Sequence, residues 1–195
     1  ILIFDLPDLP QQGGHHVRVF RNKAINNDTD NFAPEGNIVG EVPRGTGIII
    51  QANSDVEEFD NDIYGNGTVN LSIVTYGYET EDENYNPHPK SIQIHGNRFG
   101  DGGFDPDVGT GELAAILFEL SDGDMPDIFW DGILPTSQMI FGQPDEERLL
   151  ITNNGNATFL TLNPIKYILP FFDPVERDIK AYEGKVRPLP EVILN

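Results

Sequence analysis

One asparagine recurs at the same place in three similar segments, and that recurrence restricts the fold more than any other feature of the chain. "VRVFRNKAI" (17–25), "VEEFDNDIY" (56–64) and "IQIHGNRFG" (92–100) align without gaps and put Asn22, Asn61 and Asn97 in one column. A weaker copy, "LLITNNGNA" (149–157), adds Asn154. A second strand family precedes them: "ILIF" (1–4), "GIIIQ" (47–51) and "NLSIV" (70–74). Short Ile- and Val-rich strands repeated between Gly, Asn and Asp turns predict that each turn of chain lies beside the one before. The expected fold is therefore all-β, a right-handed parallel β-helix (a solenoid). Asn suits its corners because it tolerates the left-handed conformation. Stacked about 4.8 Å apart, side-chain amides can also hydrogen-bond along the column.

Neighbouring columns fit this register. Val17, Val56 and Ile92 stack, as do Ala24, Ile63 and Phe99, and both sets are expected to face inward. Lys23, Asp62 and Arg98 alternate in charge, and Arg18 lies beside Glu57. Phe20, Phe59 and His95 share a column, which reads His95 as a stacking residue. The column Val19, Glu58, Ile94 resists, because an inward Glu58 is costly. A local bulge at Glu58 is the expected remedy.

The repeats occupy residues 1–162, with loop insertions at 5–16, 26–46 and 76–90. "ELAAILFEL" (112–120) reads equally as a short helix or an apolar strand. "DIFWDGI" and "LLITNNGNATFLTL" return to strand character. Residues 163–195, with five prolines and the clusters "YILPFF" and "AYEG", read as a capping tail of the same domain. At the other end, the strand edge at Ile1 is expected to meet upstream rungs or another chain.

The chain carries 32 acidic and 12 basic residues, net −20, and no cysteine. Disulfides and thiolate metal sites are thereby excluded. So acidic a field repels nucleic acid, so nucleic-acid binding is not expected. No run approaches the ~20 apolar residues of a spanning helix, and membrane insertion is not expected either. Sequons occur at Asn27, Asn66, Asn70 and Asn156.

"ILIFDLPDLP", "NFAPEGNIVGEVPRGTGIII", "YNPHPKSIQIHGNRFG", "DIFWDGI" and "RPLPEVIL" together resemble the C-terminal part of bacterial parallel β-helix repeat proteins. Those proteins are secreted or periplasmic and share the carbohydrate-binding and sugar-hydrolase repeat. The resemblance implies an extracellular or periplasmic setting and further rungs upstream of Ile1. It brings no catalytic residues.

Candidate sites come from the insertions. Loops 5–16 and 76–90 leave one corner two rungs apart, roughly 10 Å along the axis. They are expected to wall a groove floored by residues 51–55. Its lining would include Asp5, Asp8, His15, His16, Gln51, Asp55, Tyr76, Tyr78, Tyr85 and His88. Tyrosines with carboxylates suit a polysaccharide. His15 and His16, adjacent on a strand, are expected to point to opposite faces. Asp101, Asp105, Asp107 and Glu112 offer oxygen ligands in a Gly-rich stretch, a candidate calcium site. Catalytic residues are not identified, and an enzyme is not expected from this chain alone. The reading is a binding module that recognises a glycan or a partner protein through its loop-lined face. The alternative is a polysaccharide lyase, epimerase or hydrolase whose active site lies partly on upstream rungs.

Overall fold

The computed structural model describes residues 1–34, 36–110, 112–167 and 171–190. Its strands fall into three stacks. The first sheet orders β1 (Leu2–Phe4), β4 (Thr46–Gln51), β7 (Val69–Val74), β10 (Ile128–Trp130) and β12 (Phe159–Leu162), all parallel, and ends on the antiparallel β13 (Val175–Glu176). The second stacks β2 (His15–Phe20), β5 (Ser54–Phe59), β8 (Lys90–His95) and β11 (Leu150–Thr152). The third stacks β3 (Lys23–Ile25), β6 (Asp62–Tyr64) and β9 (Arg98–Phe99). From β1 to β9 the chain visits the three sheets in rotation, so neighbours in a stack are three strands apart in sequence.

The expected all-β, right-handed β-helix solenoid is corrected by this architecture. The three sheets hold six, four and three strands, so they do not repeat as equal rungs. Helices α1 (Glu112–Leu120), α2 (Thr136–Phe141) and α3 (Pro164–Tyr167) interrupt the strand order. The molecule is a mixed α/β fold with parallel sheets. Its physical reason lies in the first sheet, which is covered on both faces. Ile48, Ile50, Leu71, Ile73, Ile128 and Phe159 face the core shared with Val56, Ile92, Ile94 and Ile63 of the other sheets. Ile49, Val69, Val74, Phe129 and Leu160 form a second cluster with Leu117 of α1 and Met125. All six residues of β7 are buried in consequence. A parallel strand buried on both faces reads as a continuous apolar run and needs a helical cover.

Helix α1 resolves the ambiguity of "ELAAILFEL". Ala114, Leu117 and Ser121 are buried at helical spacing, whereas Ile116 and Phe118 face out. Strand alternation would have buried a different set.

Glu58 needs no bulge. Val19, Glu58 and Ile94 stay in register across β2, β5 and β8, and the Glu58 side chain points inward at 0 % exposure. The breaks in backbone alternation fall elsewhere, and without an inserted residue. His16, Asp55 and Ser91 share a column and all take positive φ, 58°, 51° and 54°. A second positive-φ column, Arg21, Asp60, Gly96 and Asn153, immediately precedes the asparagines and turns the chain between sheets.

The asparagines then tie the tiers. Asn22 donates to Asn61 Oδ1 from its backbone N–H (2.8 Å) and its side chain (3.1 Å). Asn61 makes the same pair to Asn97 (2.9 and 3.1 Å), and Asn97 to Asn154 (3.0 and 3.2 Å). A shorter second series runs from Asn27 to Asn66 and on to Asn70. Asn66 and Asn70 are fully buried, so neither sequon accepts a glycan in the folded chain. Beside the main column Phe20, Phe59 and His95 stack with ring centroids 5.0 and 5.2 Å apart and nearly parallel planes.

Candidate functional site

Strands β1 and β2 are joined by residues 5–14, and β7 and β8 by residues 75–89. Because β1 and β7 belong to one sheet and β2 and β8 to another, both loops leave the same corner. Between them β4 passes to β5 through a two-residue link, Ala52 and Asn53. The stack thus sets the two long loops side by side.

Each loop is first closed on itself. The buried Asp5 carboxylate accepts from the backbone N–H groups of Gly13 (2.6 Å), Leu6 (3.0 Å) and Gly14 (3.2 Å). Gly14 has no room for a side chain, since a Cβ there would lie 2.4 Å from Asn53 Nδ2. In the other loop Tyr76 N–H donates to Pro87 O (3.0 Å), and Asp82 Oδ1 accepts from Asn84 N–H (3.0 Å).

The loops are then locked to each other. Asp82 Oδ2 accepts from Asp8 N–H (2.9 Å) and from the Gln12 side chain. Those donors, Asp8 N–H first, hold the Asp82 carboxyl below its usual value. Tyr85 inserts its ring between the loops, 8 % exposed, and donates its hydroxyl to Asp5 O (2.8 Å). Burial pushes its phenol above the ordinary value. Tyr76 meets Tyr85 edge-on at 5.3 Å and Tyr78 at 5.4 Å, leaving Tyr78 half-exposed at the outer end of the row.

The structure brings Asp5, Asp8, Tyr76, Tyr78 and Tyr85 together, with Gln51 and Asp55 half-buried beside the short link. It moves the histidines from their expected places. His15 and His16 do not point apart, because the positive φ of His16 breaks the strand alternation and their rings meet at 4.7 Å. His15 Nδ1 lies 2.6 Å from Gly13 O. His88 bonds to the backbone of Ile133 rather than facing His15 or His16, and burial lowers its pKa. Among the described residues, two buried acceptors at the base of the loops, Asn53 Oδ1 and His88 Nδ1, find no hydrogen-bond partner.

Asp82 and Gln12 are the residues that sequence reasoning missed. Asp82 sits inside "ETEDEN", a run that reads as solvated charge. The available signal was the alternation Thr80, Asp82, Asn84, a pattern of side-chain-capped turns. Thr80 Oγ1 accepts from Asp82 N–H (3.1 Å), as that pattern requires.

The calcium expectation gains no support from the geometry. Arg44 takes two of the four carboxylates it rested on: its side chain bonds Asp105 (3.1 Å), and its backbone N–H donates to Asp107 Oδ2 (3.0 Å). Asp107 also accepts from Gly109 N–H (3.2 Å), while Asp101 is exposed and uses its backbone carbonyl to receive Gly65 N–H. The Glu112 side chain lies outside what the structure describes. Among the described residues no three His, Asp or Glu side chains gather to hold a metal.

Two cavities lie away from the loops. One of about 400 Å³ lies at the closing end of the first sheet, lined by Trp130, Gln138, Arg148, Asn163, Glu176 and Tyr182. Its polar wall is engaged within the protein: Glu176 holds Lys166 and Asn163, Arg148 donates to Ala181 O, and Gln138 to Glu147. Burial pushes the Tyr182 hydroxyl up to about 12. The other, about 380 Å³, lies over the asparagine column between Arg21, Lys23, Asp60, Asp62 and Arg98.

No family model, curated protein or solved structure matches this chain. Nothing in those comparisons identifies a family. Secretion and carbohydrate binding, both drawn from the resemblance and the groove, therefore rest on no relative, and the loops meet where an open sugar groove was expected.

Proposed function

We propose that the chain is a recognition module that engages a basic partner protein through the locked pair of loops 5–16 and 76–90. The observation that carries this reading is the lock itself. Asp82 and Tyr85 fasten two segments into one surface through contacts that span 74 and 80 residues. A surface ordered before contact loses little entropy on binding. What it presents suits a protein. Tyr78 and Leu9 are exposed, at 53 % and 47 %, and tyrosine supplies large contact area with few rotatable bonds. Glu79, Glu81 and Glu83 are exposed around Tyr78, so the complementary surface is cationic.

An array of Lys- and Arg-rich peptides, with and without aromatic residues, tests the reading. The labelled chain should bind cationic aromatic peptides. Glu79→Gln, Glu81→Gln, Glu83→Gln together should abolish that binding. Glu119→Gln, Asp122→Asn, Glu183→Gln remove as much charge elsewhere and should leave it intact. Equal loss in both variants would show net charge alone at work and end the proposal.

A further inference from the structure

The outward face of the second sheet carries a line of side chains that hold the main chain of a distant segment. Residues 187–190, Arg-Pro-Leu-Pro, cross β8, β5 and β2 in that order. Gln93 of β8 pairs with Arg187 in both directions, donating Nε2 to Arg187 O (2.6 Å) and accepting Arg187 N–H at Oε1 (2.5 Å). Glu57 of β5 accepts Leu189 N–H at Oε2 (3.3 Å). Arg18 of β2 donates to Leu189 O and to Pro190 O (2.7 Å). The receiving groups are fixed from behind. Gln93 is 3 % and Glu57 5 % exposed, and the Glu57 carboxylate is held by Arg18 Nε and His95 Nε2, both at 3.2 Å.

The match between face and segment is one of donors. Pro188 and Pro190 have no N–H, so the segment owns two amide donors, and both are bonded. A sequence without proline at those places would bring two further N–H groups to a face that offers them no acceptor in these contacts. Proline also restricts the free segment to extended conformations, which lowers the cost of docking. The arginine is used as well: its guanidinium donates to Asp145 O and to Arg148 O (3.3 Å).

We propose that this face of β2, β5 and β8 is a binding site for an extended Arg-Pro-X-Pro peptide, occupied in cis by residues 187–190 and open to the same chemistry in trans. The site lies on a different sheet face from the locked loops and does not depend on their role.

The test uses the full chain with a site-specific protease sequence in place of residues 183–186, folded intact and then cleaved. A fluorescent peptide Lys-Val-Arg-Pro-Leu-Pro is added, and its anisotropy is followed before and after cleavage. The cleaved chain should bind it at least tenfold more tightly than the uncut chain, which already fills its own site. Peptide with both prolines changed to alanine should bind at least fivefold more weakly. Pro188→Gly, Pro190→Gly in the uncut chain loosens the strap without cleavage and should also admit the peptide. No uptake by that folded variant, or equal uptake of the alanine peptide, would overturn the proposal.

Discussion

A carboxyl at position 58 stands where the alternation of β5 calls for an apolar side chain, and the asparagine column explains why it is tolerated. Asn61 Nδ2 donates to Glu58 Oε1 (2.6 Å) and Asn97 Nδ2 to Oε2 (2.9 Å). Burial nonetheless dominates and raises the Glu58 pKa to about 8, so the group is folded as the neutral acid. The sign follows from linkage: the folded chain binds a proton that the unfolded chain releases above its ordinary pKa of 4.5. Stability is fully present below that value and falls as pH rises towards 8. Asp131, raised to about 6 by the same cause, contributes a parallel loss at lower pH. Glu58 is therefore best isolated between pH 6.5 and 8, where about 2 kcal/mol should be lost. Denaturant melts of Glu58→Gln should show that slope removed, at a cost of about 1 kcal/mol for a lost acceptor. An unchanged slope would place the titration elsewhere. Asn61→Leu strands donors and acceptors on two tiers and should cost roughly 1–3 kcal/mol. The Asn column was legible in sequence because it recurs in register, but not for the expected reason: the left-handed conformation falls one place earlier, at Arg21, Asp60, Gly96 and Asn153, and the asparagines serve as the hydrogen-bonded ladder. The inward Glu58 was not legible, because its partners lie 3 and 39 residues away.

Loops and helices show where sequence reasoning loses its hold. Strand register was readable because alternation and columns constrain each other: Arg18 meets Glu57 and Arg98 meets Asp62 where the alignment puts them. Helix α1 was not, because nine residues of apolar character fit either period and only the uncovered face of the first sheet decides. The lock of the loops was illegible too, since Asp82 looks like any solvated acid until Asp8 and Gln12 arrive beside it. Tyr85→Phe removes the hydroxyl that satisfies the buried Asp5 carbonyl and should destabilise by about 1–2 kcal/mol in thermal or denaturant melts. A neutral outcome would mean that water replaces the hydroxyl and the ring alone holds the loops. Acid should also loosen the lock. The Asp82 carboxyl sits below its ordinary value, so its contribution is present above that value and lost as pH falls through the lowered one.

Across the whole molecule three parallel stacks work as a ruler. Adjacent strands of the second sheet lie one tier apart, so β2 and β8 fix the loops that precede them at a set distance and on one face. Helix α1 and the antiparallel β13 close the first sheet, which is why a winding of repeated strands becomes a layered α/β molecule. The strong negative charge is then a property of the surface the stacks display. Expected association with a cationic partner should weaken as salt is added. The direct test of the account is hydrogen exchange on the full chain and on Asp82→Ala. In the native chain the amides of Asp8, Gly13 and Gly14 should be protected together with those of residues 76–85. In Asp82→Ala both loops should exchange at least tenfold faster while the amides of Asn61 and Asn97 keep their protection. Acceleration confined to residues 76–90 would contradict the single locked surface on which the proposed recognition rests.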